Sequence, residues 1–144
     1  MHVENPDRNE IKQLLETYNQ VAVVGLSDNP DRTSHMIAKA LQQRGYQITP
    51  VNPNTDEVLG EKSYATLTDI PHPIEIVDVF RRSEHLLPIA KEAVEIGAKV
   101  LWMQSGIINE EAAAYAQEHG LTVIMDRCIK VEDAILLPNK EASK

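Results

Sequence analysis

The chain is 144 residues long, 42% hydrophobic and 25% charged, with a formal net charge of −8. That length suits one domain with a core of its own, and the acidic balance excludes a nucleic-acid surface, which needs clustered Lys and Arg, while leaving room for a small phosphorylated ligand. A single cysteine excludes an internal disulfide, no apolar run approaches the roughly 20 residues of a membrane span, and residues 1–6 lack the apolar stretch of a signal peptide, so a cytoplasmic location with no membrane partner is expected.

Asn5 reads as an N-cap and Pro6 as a first helical residue. Ile11, Leu14, Leu15 and Tyr18 then fall on one helical face, so residues 1–19 form an N-terminal helical segment. Residues 20–24 form a first strand, because Val21-Ala22-Val23-Val24 is a continuous small and β-branched run, the pattern of a strand buried on both faces. It stops at Gly25. A polar turn leads to a helix over 33–44, with Met36, Ile37, Ala40 and Leu41 on one face, Arg44 favoured by the helix dipole and Gly45 ending it. A second strand over 47–51 must end at Asn52-Pro53-Asn54, since Pro53 has no N–H for a ladder.

Residues 55–72 read as irregular, with a turn at Gly60. A third strand over 75–79 exits through Phe80-Arg81-Arg82-Ser83. Pro88 places the regular start of the next helix near Leu87, after a looser turn over 83–86, and Gly97 caps it. A fourth strand over 99–102 exits through residues 103–106, and Asn109 caps a helix that Gly120 ends. A fifth strand over 121–124 exits through Asp126-Arg127-Cys128. Residues 131–137 are apolar and of open type, and 138–144 read as a disordered tail. Strands alternating with helices predict a three-layer α/β, Rossmann-like fold over residues 1–144, with a mainly parallel sheet of five or six strands and helices on both faces. Right-handed crossovers gather all exit loops at the carboxyl edge, where ligands of such sheets bind, near the switch in strand order.

Strand, glycine, loop and helix open a nucleotide-binding unit. Gly25 lets the backbone approach a phosphate, although a tight turn alone would also call for it, and the following helix supplies free N–H groups. The dinucleotide fingerprint needs three glycines, and Gly25-Leu26-Ser27-Asp28-Asn29-Pro30 supplies one. Val51-Asn52-Pro53 offers no acid for an NAD ribose, and no Walker A lysine follows Gly25. The candidate contacts instead are the hydroxyls of Ser27 and Ser34, the cations Arg32, Arg81 and Arg82, of which at least one is expected on phosphate, and the apolar surface of Trp102 and Met103. Asp78, in an apolar strand, is expected to be structural and hydrogen-bonded to a neighbouring loop. The five histidines show no ligand-like spacing, so no metal site is expected.

Taken together, Val-Ala-Val-Val-Gly-Leu-Ser at 21–27, Val-Asn-Pro at 51–53, Val-Asp-Val-Phe-Arg-Arg at 77–82, Trp-Met-Gln-Ser-Gly at 102–106 and Asp-Arg-Cys at 126–128 resemble the CoA-binding protein family, whose Rossmann-like domain is similar to the N-terminal domain of the succinyl-CoA synthetase alpha subunit. The resemblance covers residues 20–137. It implies coenzyme A as the ligand, with Gly25, Leu26, Ser27 and Asp28 on the pyrophosphate. Val51, Asn52 and Pro53 would border the adenine and ribose, Phe80 and Arg81 would lie along the nucleotide, and Met103, Gln104 and Ser105 would face the pantetheine arm. The synthetase keeps its phosphorylated histidine in a second domain that this sequence lacks, so binding of CoA or an acyl-CoA is what the resemblance carries over, and a protein without its own catalysis is expected.

Cys128 has two readings: a small buried hydrophobe, or a thiol near the CoA sulfur, with the Arg127 cation beside it, that forms a mixed disulfide. Two enzyme readings stand as alternatives, an NAD(P)-binding oxidoreductase and a thiol-dependent acyl transferase using Cys128, for which His35 would be a poor base. A doubly wound interaction domain without a nucleotide is a third class, and a protein partner stays open.

Overall fold

The structure is a computed structural model and describes residues 3–140. The elements in chain order are α1 (Arg8–Thr17), β1 (Gln20–Val24), α2 (Thr33–Gln43), β2 (Gln47–Val51), β3 (Glu57–Val58), β4 (Glu61–Lys62), β5 (Ile76–Val79), α3 (Leu86–Glu95), β6 (Val100–Met103), α4 (Glu110–Glu118), β7 (Thr122–Ile124) and α5 (Ile129–Leu136). Five strands form a parallel sheet in the order β2-β1-β5-β6-β7. The chain runs outward from β1 to β2, then returns to β5 on the other side of β1, so the switch in strand order lies between β1 and β5. No helix among the described residues is long and apolar enough to cross a membrane.

Alternate residues of each strand serve the two faces. Val21, Val23, Ile76, Val100, Trp102 and Ile124 pack with Ile11, Leu15, Ile37, Leu41 and Ile129 of α1, α2 and α5. Ala22, Val24, Val77, Val79, Leu101, Met103 and Val123 pack with Leu86, Ala90, Ala93, Ala112, Ala113 and Ala116 of α3 and α4. Alanines fill the facing sides of α3 and α4 and let the two helices lie close together. The long connection from β2 to β5 is only partly irregular. It holds the antiparallel pair β3–β4, turned at Leu59 and Gly60, and a short 3-10 turn at Leu67–Asp69.

Several sequence expectations need correcting. The first helix starts at Arg8, capped by the Asp7 carboxylate, which accepts from Glu10 N. Asn5 is recruited elsewhere: its side-chain amide donates to Met125 O at 2.8 Å and accepts from Met125 N at 2.7 Å, standing in for a neighbouring strand beyond β7. On α2 the buried set is Ser34, Ile37, Ala38 and Leu41, while Met36 is 57% exposed. The helical period is as read, but the inner face is rotated away from Met36.

The apolar stretch of open type is α5. Residues 138–140 of the expected tail are held in place: Lys140 Nζ lies 3.5 Å from the Tyr46 ring centroid, and Arg44 Nη1 donates to Lys140 O at 3.1 Å. Residues 141–144 lie outside the described residues. The anchor beneath is Asp133, buried, accepting from Arg44 Nε and from the Tyr46 hydroxyl, both at 2.6 Å. Burial, reinforced by that hydrogen bond, keeps the Tyr46 phenol firmly protonated.

Asn5→Ala removes both partners of the Met125 backbone at once. The expected loss is about 1–3 kcal/mol, read as a lower denaturant midpoint with an unchanged slope.

Candidate functional site

At the switch point three strand ends are fastened side by side. Gly25 N donates to Val51 O at 2.9 Å, and Phe80 N donates to Val24 O at 2.8 Å. Gly25 has φ +87°, and a Cβ built there would stand 2.3 Å from the Phe80 carbonyl oxygen. Glycine is therefore fixed by the fold itself, before any ligand is considered. The Arg81 Nε would be 3.3 Å from that same Cβ, so the half-buried Arg81 side chain lies across the start of the loop.

Residues 25–32 are shaped by short-range hydrogen bonds. Ser27 N donates to Ser34 Oγ, Asn29 N to Ser27 Oγ and Asp31 N to Asn29 Oδ1, each at 3.0 Å. The Ser27 hydroxyl thus accepts one N–H and keeps its proton for another acceptor, whereas the Ser34 hydroxyl is buried. The Asn52 amide donates to Leu26 O at 2.9 Å and its carbonyl receives Asn54 N, locking the β1 and β2 exit loops together. No side chain caps α2, so its first N–H groups are left for another partner at this edge.

One neighbour was undervalued by the sequence reading. His35 Nδ1 lies 2.9 Å from Ser27 O. A carbonyl only accepts, so this nitrogen carries a proton. The sequence signal was its position in the first turn of the helix after the glycine loop.

The charge pattern decides what the edge can hold. The ion pairs among the described residues engage Arg8, Arg44, Arg127 and Lys140. Arg32, Arg81 and Arg82 take part in none of them, although the chain carries a net −8. Arg81 thus lies beside Gly25, with Arg32 at the uncapped helix start and Arg82 next to Arg81 in the β5 exit loop. Asp28 and Asp31 of the same loop are exposed to solvent.

The structure thus gathers Gly25, Ser27, Asp28, Arg32 and Arg81, with Asn52 and Pro53 on the adjoining loop and Phe80 half-buried below. The side chains of Leu26 and Val51 are in the core, so they can contribute only backbone. Trp102 and Met103 have no exposed surface at all, contrary to the apolar wall expected of them. Strand β6 lies inside the sheet with helices on both faces, so both of its side-chain parities are covered. The Trp102 indole donates to Arg127 O at 2.8 Å.

Gln104 is also buried and donates to Asp78 Oδ1 at 2.6 Å, the loop contact expected of Asp78; Ser105 is exposed. Cys128 is half-buried at the start of α5, on the β7 side of the same edge. The Arg127 guanidinium beside it is paired with Glu132 at 3.4 Å and so is not held for the thiol. Among the described residues no group of three or more His, Cys, Asp or Glu is placed to hold a metal.

An open parallel α/β sheet with a glycine-led loop at its switch point defines the Rossmann-like class of domain. Within that class the chain belongs to the CoA binding domain family, whose model matches residues 19–134. It is 54% identical over 133 residues to the protein YneT of Bacillus subtilis, covering 92% of this chain and 98% of that one. It is 29% identical over 115 residues to the ADP-forming acetate–CoA ligase II of Archaeoglobus fulgidus, a match spanning 72% of this chain and 17% of the ligase. Among solved structures, Prb, a protein redesigned for binding, superposes with a TM-score of 0.92 at 37% identity, covering 96% of this chain and 98% of Prb. A Thermus thermophilus protein superposes at 0.88 with 33% identity, covering 92% and 100%.

Gly25→Ala forces a side chain against the Phe80 carbonyl and a left-handed backbone on a residue that resists it. A loss of at least about 2 kcal/mol is expected, read as a melting temperature lower by several degrees without any ligand present.

Proposed function

We propose that this chain binds coenzyme A, or an acyl-CoA, at the carboxyl edge between β1 and β5, as a stand-alone binding protein without catalysis of its own. The observation that carries the reading is the set of uncommitted arginines around the Gly25 loop, with Arg81 lying across it. CoA brings a pyrophosphate and a further phosphate, and a guanidinium meets each with paired hydrogen bonds. In this reading the loop N–H groups and the start of α2 take the pyrophosphate, the Asn52–Pro53 corner borders the adenosine, and the pantetheine arm runs toward Ser105 and Cys128.

Membership of the CoA binding domain family supports the ligand. Asp78, beneath this edge, is buried and sealed from solvent, so it is not offered to a substrate as an acid or base. A relative that this chain spans almost end to end supports the stand-alone role. The reaction of the ligases belongs to proteins of which the chain matches only a small share, 17% in the Archaeoglobus case.

Thermal unfolding with CoA, acetyl-CoA, NAD or NADP tests the reading. CoA at 100 times its dissociation constant should stabilise by about 2.7 kcal/mol, with no shift from NAD. Arg81→Ala should weaken CoA on the order of tenfold or more, for the loss of a charge-assisted contact, and leave the unliganded melting temperature nearly unchanged. A shift with NAD alone would return the oxidoreductase reading to the front.

The course of the pantetheine arm is tested separately at Cys128. Its thiolate attacks the disulfide of CoA disulfide, one CoA leaves as thiol, and the other stays as a mixed disulfide. Mass spectrometry should find that adduct on the wild type and not on Cys128→Ser. An unmodified wild type would direct the arm away from the β7 loop.

A further inference from the structure

Asp78 is a carboxyl group with no surface exposure in the middle of the sheet. It is registered between Val23 of β1 and Trp102 of β6, on the face that α1, α2 and α5 cover. Oδ1 accepts one hydrogen bond, from Gln104 Nε2 at 2.6 Å, and Oδ2 has no partner among the described residues.

Among the described residues no ion pair answers it. The inner side of α1 presents Ile11, Leu14 and Leu15, and that of α2 presents Ser34, Ile37, Ala38 and Leu41. The inner side of α5 brings two acids, and both are committed: Glu132 to Arg8 and Arg127, Asp133 to Arg44 and Tyr46. A bare carboxylate is costly in such a place. Burial accordingly pushes the Asp78 carboxyl from an ordinary 3.8 up to about 7, against the opposing pull of the Gln104 hydrogen bond.

Gln104 is the first residue of the β6 exit loop. Its N–H reaches Val79 O at 3.4 Å and its carbonyl receives Ile107 N at 2.9 Å. Ser105 and Gly106 follow at the surface, and Gly106 N donates to Asp126 Oδ1 at 2.6 Å. The buried Asp78–Gln104 contact is therefore one of the bonds that hold the start of this loop.

We propose that Asp78 is a positioning residue that pins the β6 exit loop through Gln104, so that the loop side of the ligand edge answers to the charge on a carboxyl held inside the sheet. The consequence for ligand affinity rests on the CoA reading above. When Asp78 ionises, Oδ2 needs water or another donor, and Ser105 and Gly106, next to Gln104 in the chain, are exposed to solvent. The loop then shifts, and a ligand that requires it in place must restore the proton on binding.

The sign of the stability effect follows. Between 3.8 and about 7 the native carboxyl keeps a proton that the unfolded chain has released, so this group makes stability fall as pH rises through that window, and its full cost stands above it.

The test has two arms. In the ligand-free protein, amide signals of Ser105, Gly106 and Ile107 should titrate together with the Asp78 side-chain carboxyl, with a midpoint near 7. In Asp78→Asn, which keeps an acceptor for Gln104, that titration should vanish. In Gln104→Ala, which removes the one bond favouring the charged form, the carboxyl midpoint should rise. Loop amides that do not titrate, or that titrate alike in Asp78→Asn, overturn the proposal. If Asp78→Asn does not fold, an Asp78 midpoint that fails to rise in Gln104→Ala does the same.

In the second arm, calorimetry of CoA binding at pH 8, in buffers of different ionisation heat, should show the wild type taking up close to one proton more than Asp78→Asn. The ligand's own ionisation is common to both proteins. Equal uptake overturns the link to affinity. A wild type that does not bind CoA at all refutes the functional reading instead, and the pin then stands or falls on the amide titration.

Discussion

Everything at the ligand edge depends on how closely the end of β1 passes the start of the β5 exit loop. The Phe80 carbonyl fills the space where any side chain at position 25 would stand, and Gly25 takes a left-handed backbone to leave the strand. That one close approach fastens β2, β1 and β5 at their ends and turns the Gly25 loop over the sheet. It also brings Arg81 across the loop. Glycine here serves packing first, and the same absence of a side chain leaves backbone open to a ligand. A substitution at Gly25 confounds the two roles, whereas Arg81 separates them.

An acidic protein that holds a polyanionic ligand must keep its positive charge local. Its other engaged cations are used inside the scaffold: Arg44 and Lys140 close the end of α5 around Asp133, and Arg8 and Arg127 hold Glu132. The arginines at the switch point stay uncommitted. The dipole of α2 adds to them, because no side chain caps that helix. This division of labour, more than net charge, is what the proposed phosphate site rests on.

The fold was legible because the strands are unbroken apolar runs and most turns carry a glycine with positive φ, as at Gly45, Gly97 and Gly120. Local signals failed where distant partners intervened. Asn5 and Pro6 have every local mark of a helix start, but Met125, at the end of β7, claims the Asn5 amide. The family resemblance and the ends of the strands named the candidate residues at that edge. What no local pattern could say is which way side chains point at a strand end. Trp102 and Met103 stand next to the exit loop, and both are swallowed by a strand covered on both faces. The partner of Asp78 was likewise readable only as some loop, since Gln104 meets it through pairing of β5 with β6. The pair β3–β4 escaped notice because each strand is two residues long, too short for an alternating pattern.

The most direct test of the central claim is a titration of the ¹⁵N-labelled protein with CoA, followed by amide shifts. The account predicts saturable changes concentrated on residues 25–35, on Asn52 and on Phe80 and Arg81, with the same titration by NAD leaving them in place. Saturable changes that fall elsewhere, or none in a protein shown to be free of bound ligand, would contradict it.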